Sequence, residues 1–382
     1  MAAAVVLAGL VVVGKILWNW GKNPLAETLL TEVFRSPVRV RVESVRLAEP
    51  FPSIEATVAD FVVQGTNAAA PSEVFRVQRG RVRLNPLRLI GQKVKRIEKI
   101  YAQEASIFLH VDSTGVKNFQ LFRPFDPKRK GPNLVHLAGL EVVRCKIVYQ
   151  NDRIERTYEL FLDSTTLELR SFPRSMDIAA RTLGHSRRLD FGRFSIFEDR
   201  SVAGELRFWV DKPDKRLYFT DATISVPGIA VKLYGDMSVG PLKDYNLAFD
   251  VFDGDLHGLF AFIPQRRPRR FDAFGRIDAC GSLDGIDDER VNPHFELRFS
   301  ARNATVQNRY SGAKVENLSL SGFFDNGAQN RVATTAFNID DVRGYLRGKP
   351  FTGFVHISRL DDPFVEAGIR GEIDLDGAAR FL

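Results

Sequence analysis

Val38-Arg39-Val40-Arg41-Val42 is the stretch on which the fold turns. Successive side chains of an extended chain point to opposite faces, so the valines gather on one side and the arginines on the other. The same alternation returns at Ile54-Glu55-Ala56-Thr57-Val58, at Val82-Arg83-Leu84 and at Ala105-Ser106-Ile107-Phe108-Leu109-His110-Val111, each run ending near Pro, Gly, Asn or Asp. No helix period competes between Val38 and Phe122. The region is therefore a succession of half-buried strands, and its dry face needs a cover.

Downstream, Pro124 to Asn133 forms a basic, Pro-containing loop and the best internal boundary. Extended runs resume over 140–149, 158–169, 206–210, 217–226, 229–233 and 247–251, and a short helix is expected over 256–263, stopped by Pro264. The last third repeats an extended run, a Gly and another extended run, as in Phe274-Gly275-Arg276-Ile277 and Gly368-Ile369-Arg370-Gly371-Glu372-Ile373. The irregular spacing is not that of a strict solenoid and fits a sheet grown by consecutive hairpins. Roughly 16 to 20 strands at about 4.8 Å each would extend on the order of 80 to 100 Å. Two short helices cannot cover such a face. It must pack on itself as a sandwich or barrel, or curl into a trough that holds apolar ligand.

Upstream, Ala2 to Leu17 is apolar apart from Lys15 and is followed by Trp18 and Trp20, which suit a headgroup region. About 17 residues at ~1.5 Å each give roughly 25 Å, so the Trp-containing turn must complete a span of the ~30 Å hydrocarbon core. With no basic n-region and no small-x-small cleavage site, an uncleaved anchor is expected rather than a signal peptide. Lys15 and Lys22 follow the run, and the positive-inside rule alone would leave the body cytoplasmic. Asn23-Pro24 then supplies a helix cap and first residue, and Leu25, Leu29, Leu30, Val33 and Phe34 mark one face of a short amphipathic helix.

The chain has 382 residues, 44% of them hydrophobic, with 30 Phe and a net charge of +7. That is material for an extended apolar face and not for a disordered chain. The basic runs Lys93-Val94-Lys95-Arg96, Lys128-Arg129-Lys130 and Arg266-Arg267-Pro268-Arg269-Arg270 lack the interleaved aromatics that base stacking needs, so no nucleic-acid partner is expected. Cys145 and Cys280 have no CxxC spacing; two buried thiols and one long-range disulfide both stay open.

Catalytic chemistry finds no footing. The six histidines stand singly, without HExxH or any other i, i+4 pair, and GxSxG, P-loop and GxGxxG patterns are missing. The acidic groups Asp284, Asp287, Asp288, Glu289 and Asp374, Asp376 lack the calcium-loop spacing. The expectation is a protein that is no enzyme and carries neither metal nor cofactor.

The order of features resembles the AsmA-like family of bacterial membrane-anchored periplasmic proteins. An apolar leader and short helix precede Val40-Arg41-Val42-Glu43-Ser44-Val45-Arg46-Leu47, Pro52-Ser53-Ile54-Glu55-Ala56-Thr57-Val58-Ala59-Asp60-Phe61-Val62-Val63 and Arg81-Val82-Arg83-Leu84-Asn85-Pro86-Leu87. Ile97 to Ile107 follows, and Asp112-Ser113-Thr114-Gly115-Val116-Lys117-Asn118-Phe119 closes the stretch with the family's acidic residue, Gly and Asn. Asn292 to Gly322 is similar to the family's C-terminal half. The likeness departs at the leader, which lacks a preceding Lys or Arg, and at Ala378 to Leu382, which stops within a further repeat; both departures suggest a shortened or divergent copy.

The resemblance implies a bridge-like lipid carrier: a β-trough with an apolar lining, anchored in the inner membrane by a single pass with its bulk in the periplasm, moving lipid towards the outer membrane. The expected fold is mainly β, a long twisted antiparallel sheet curled into an elongated groove (half-pipe), with an N-terminal transmembrane helix and few short helices. Its parts are an anchor at 1–22, an amphipathic helix at 23–36, an N-terminal β module at 37–123 that forms the groove's membrane-proximal mouth, and a continued groove at 134–382, incomplete at its C-terminus. Alternation nominates Leu206, Phe208, Val210, Leu217, Phe219, Ile229, Val231, Leu233, Leu247, Phe249, Val251, Phe295, Leu297 and Phe299 as its lining. A phospholipid or other acyl-chain lipid is the expected partner, with the inner membrane and envelope or outer-membrane proteins. The alternative is a non-enzymatic scaffold for envelope or outer-membrane assembly that pairs through strand edges. A closed sandwich core accounts for the same alternation, because period two does not say what covers the face.

Overall fold

The computed structural model describes residues 38–49, 53–65, 73–85, 94–119, 134–172, 174–191, 194–196, 199–239, 243–260, 271–287, 292–327 and 329–372. The anchor and amphipathic helix expected at 1–22 and 23–36 lie outside the described residues, as do Lys128 to Lys130, Arg266 to Arg270 and Asp374. No helix among the described residues is long and apolar enough to cross a membrane. The chain is mainly β and divides into two units, 1–203 and 204–382.

The first unit holds β1 (Val38–Leu47), β2 (Ile54–Gln64), β3 (Glu73–Leu84), β4 (Val94–Val111), β5 (Leu134–Leu137), β6 (Gly139–Asn151), β7 (Arg156–Ser171), β8 (Ser175–Phe191) and β9 (Phe194–Ile196). Strands β1 to β4 form an antiparallel meander, and β6 to β9 form another. The expectation of a purely antiparallel sheet fails where they join: β5 and β6 both run parallel to β4. A parallel neighbour needs a crossover of a dozen or more residues, and the segment between Val111 and Leu134 is long enough to carry the chain back.

The start of that crossover is fixed by side chains. Asp112 Oδ1 accepts the Thr114 and Val116 amides, both at 2.9 Å, while Gly115 takes a φ of 89°. Asn118 is fully buried and spends its amide on the β4 backbone, accepting from His110 N at 2.8 Å and donating to Phe108 O at 3.1 Å.

Pairing register lines apolar residues into rows across this unit. Ala56, Val82, Ile100, Leu140, Leu167 and Ala180 form one, and Phe61, Val77, Ala105, Cys145, Leu162 and Gly184 another. On β2 to β4 these rows are sealed, with Ala56 and Val82 at 0% exposure. The opposite face is ionic: Lys99 pairs with Glu141 at 2.6 Å, Arg79 with Glu104 at 3.1 Å, and Arg81 lies 4.4 Å above the Tyr101 ring. The rows form a buried core on these strands, and the cavity among Val58, Phe61, Phe75, Val82 and Ile100, about 30 Å³, is too small for an acyl chain.

The second unit takes β10 (Arg200–Asp211), which crosses the division, β11 (Arg216–Val226), β12 (Ile229–Ser238), β13 (Lys243–Asp255), α1 (Leu256–Phe260), β14 (Phe271–Asp287), β15 (His294–Asn308), β16 (Lys314–Asp325), β17 (Ala336–Leu346), β18 (Lys349–Ser358) and β19 (Phe364–Gly371). From β11 onward each strand pairs antiparallel with the next. Of the helix expected over 256–263, the residues through Phe260 are helical and the rest lie outside the described residues.

Bulges interrupt the strands of both units. Asp60, Glu104 and Arg144 in the first, and Asp253, Asn303, Asn317 and Asp341 in the second, have φ between 48° and 56° beside or at breaks in the ladder. Asp and Asn enter this left-handed region more readily than other non-Gly residues. Each bulge bends its strand and increases the local twist.

Candidate functional site: a half-exposed apolar face

The strand register assembles the nominated residues of the second unit. One row runs Ala222, Leu233, Phe249, Gly281, Leu297, Phe324, Phe337, Ile357 and Val365, from β11 to β19. Beside it run Ile224, Val231, Val251, Ala279, Phe299, Gly322, Ile339, Val355 and Ala367. A shorter row joins Phe219, Gly235, Leu247, Leu283 and Phe295. Leu217 pairs with Met237, Ile229 pairs with Val226, and the Phe208 ring on β10 lies 6.1 Å from that of Phe219. Leu206 and Val210 sit two residues either side of Phe208 and share its face.

Rings dominate the middle of this face. Phe249 stacks on Phe295 at 6.0 Å and 12°, Phe299 on Phe337 at 5.8 Å and 15°, and Phe295 meets Phe324 at 5.7 Å. Two glycines make this packing fit. A Cβ at Gly281 would lie 2.5 Å from Phe249 Cζ, and one at Gly322 would lie 2.6 Å from Phe299 Cζ, so each ring rests flat over a cross-strand glycine.

Burial separates this face from the first unit's core. Leu206, Phe208, Val210, Leu217, Phe219, Val231, Leu233, Leu247, Phe249, Phe295, Leu297 and Phe299 are all half-buried, and only Ile229 and Val251 of the nominated residues are buried. Phe324, Phe337, Ile339, Val355 and Ile357 are half-buried too, and at the far strand Val365 is 56% exposed. Beyond the bulges the same face closes: Leu256 of α1 and Phe351 pack against Ala301, Ala304, Val315, Leu318 and Leu346. A sandwich core would put the rows below solvent reach throughout; here they are sealed at the α1 end and accessible along their middle.

The other face is polar. Lys232, Asp250, Cys280, Arg298, Phe323, Asn338, His356 and Glu366 form its main row. Arg216 donates to Asp244 Oδ2 at 2.6 Å and bonds Asp236, which also accepts from Asn246 Nδ2 at 2.9 Å. His356 and Asp340 meet at 2.7 Å.

Both cysteines are free. Cys145 sits in the first unit's core, where burial pushes its thiol up to about 11, whereas Cys280 is exposed on the polar face. Since the thiolate is the nucleophile, native protein at pH 8 is expected to take one maleimide, at Cys280, and a second only on unfolding, as read by intact mass. With a folded pKa raised above the ordinary thiol value, Cys145 contributes stability below that value and loses it as pH rises towards 11. Rapid native labelling at Cys145 would contradict this placement.

Comparison with family models, with curated proteins and with solved structures gives no match.

Proposed function

We propose that the half-exposed apolar face of the second unit binds the acyl chains of a phospholipid or similar lipid, and that the protein carries lipid in the cell envelope without covalent chemistry. The observation that supports this is the pair of nine-strand rows centred on Phe249, Leu297, Phe299, Phe324 and Phe337, half-exposed along their middle. Apolar surface gains about 25 cal/mol per Å² on leaving water, and contiguous apolar patches beyond a few hundred Å² mark binding sites on soluble surfaces. Bulges at Asp253, Asn303, Asn317 and Asp341 supply the bends that curl such a sheet into a half-pipe. The AsmA-like order of sequence features favours an inner-membrane anchor, a periplasmic body and lipid movement between the two membranes. The scaffold reading draws on β19, which is exposed along nearly its whole length and presents Phe364, Val365 and Ile369.

Mass spectrometry of organic extracts from the purified full chain separates the two readings. Acyl-chain lipid co-purifying with the protein, and withdrawal of fluorescent phospholipid from vesicles, are expected of the carrier. Protein that is free of acyl chains and withdraws none would sink it and leave the scaffold.

A further inference from the structure

On the polar face of the second unit, two strands bring one imidazole and two carboxylates together. His294 and Glu296 are two residues apart on β15 and so share a face, and Glu296 is directly registered with Asp325 on β16. One ligand-type atom from each lies within 4.8 Å of the others. Helix-spaced histidine pairs do not detect this arrangement, because on strands convergent ligands come from i, i+2 and from the cross-strand partner.

The hydrogen bonds around the imidazole ask for a cation. Asn330 Nδ2 donates to the Asn292 carbonyl at 2.9 Å, which fixes the amide orientation and turns its Oδ1 towards His294 Nδ1 at 3.1 Å. Oδ1 accepts only, so Nδ1 carries the hydrogen. A neutral ring then holds its lone pair on Nε2, and Nε2 faces Glu296 Oε1 at 3.2 Å. Lone pair against carboxylate oxygen is repulsive unless a cation lies between them. The reciprocal bond from Asn292 Nδ2 to Asn330 O at 3.0 Å, and Asn326, which accepts from Phe295 N at 2.9 Å and donates to Pro293 O at 2.9 Å, hold the surrounding loop.

We propose that His294 through Nε2, with Glu296 and with Asp325, whose Oδ1 lies 4.0 Å from the ring's Nδ1, binds a divalent transition-metal cation of the Zn²⁺ or Mn²⁺ class, with Asn330 orienting the imidazole and water filling the open positions. One imidazole with two carboxylates suits these ions better than Ca²⁺ or Mg²⁺, which take all-oxygen shells. A ligating histidine normally donates its other N–H to a carbonyl or carboxylate, the role Asn330 fills. The rival occupant is a proton. The Glu296 hydrogen bond raises the His294 pKa while burial opposes it, and the resulting imidazolium would bridge to Glu296 without metal.

Calorimetric titration of the chelator-stripped full chain with ZnCl₂ and with MnCl₂ alone, at pH 8, decides between them. Expected is saturable binding with one site lost in His294→Gln and in Asp325→Asn, each weakening that site on the order of 10-fold or more. Glu296→Gln, nearly isosteric, serves if either variant loses its far-UV circular dichroism. The midpoint of thermal unfolding should rise with metal in the wild type and not in the variants. Other histidines sit beside carboxylates, His110 with Asp152, His185 with Asp163 and His356 with Asp340, so zinc binding that survives unchanged in His294→Gln and Asp325→Asn overturns the assignment. No saturable binding of either ion also overturns it and leaves the imidazolium bridge.

Discussion

Replacing Phe249 and Leu297 together by Asp is expected to leave the protein folded and to abolish its uptake of acyl-chain lipid. Both residues lie in the central row of the second unit, Leu297 paired with Phe324 and Phe249 paired with Gly281. Both are half-buried, so each new carboxylate reaches water and avoids the desolvation that makes a buried charge ruinous. The fold loses the Phe249–Phe295 stack and strand propensity, about 1–2 kcal/mol per site. The ligand loses far more, because two charges sit where chain methylenes would rest. Circular dichroism and lipid withdrawal from vesicles measure the two effects separately. Global unfolding would mean a sealed core, and undiminished lipid uptake would remove this face from the function.

Val82→Asp is the counterpart in the first unit, and the opposite outcome is expected. Val82 has no exposure and lies between Ala56 and Ile100 in a row sealed on β2 to β4. A carboxylate there has neither water nor a cation, and the cost is roughly 3–5 kcal/mol, a large part of a domain's stability. Denaturant unfolding followed by thiol labelling reads this directly, since Cys145 belongs to the same cluster and becomes reactive when it opens. A Val82→Asp protein with wild-type stability and a protected Cys145 would show that this core is wet.

The contrast between the two substitutions marks where sequence reading stops. Val82 and Leu297 both stand in alternating strands, and period two assigned each correctly to an apolar face. It carries no information on what lies over that face. The nominated lining also ended at Phe299, although Phe324, Phe337, Ile357 and Val365 continue the row. Bulges hide them. Leu247, Phe249 and Val251 keep one phase until Asp253, after which Gly254 takes the place a strict alternation would give to 253. In β17 the face holds Phe337 and Ile339, then shifts past Asp341 to Val342, Gly344 and Leu346. The parallel join of β4 to β6 was illegible for a different reason: direction depends on the path of the crossover, and the strands themselves read alike either way. The His294, Glu296 and Asp325 cluster escaped because its third member comes from the neighbouring strand, a register that local spacing does not encode.

The central claim, that lipid lies on one face of the second unit, is tested most directly by position-specific photocrosslinking in native membranes. A benzophenone amino acid is placed at Leu297, on the apolar face, and in a second protein at its neighbour Arg298, exposed on the polar face. The account predicts a lipid adduct, seen as a mass shift of the intact protein, at position 297 and none at 298. Equal adducts at both positions, or none at either, would contradict it.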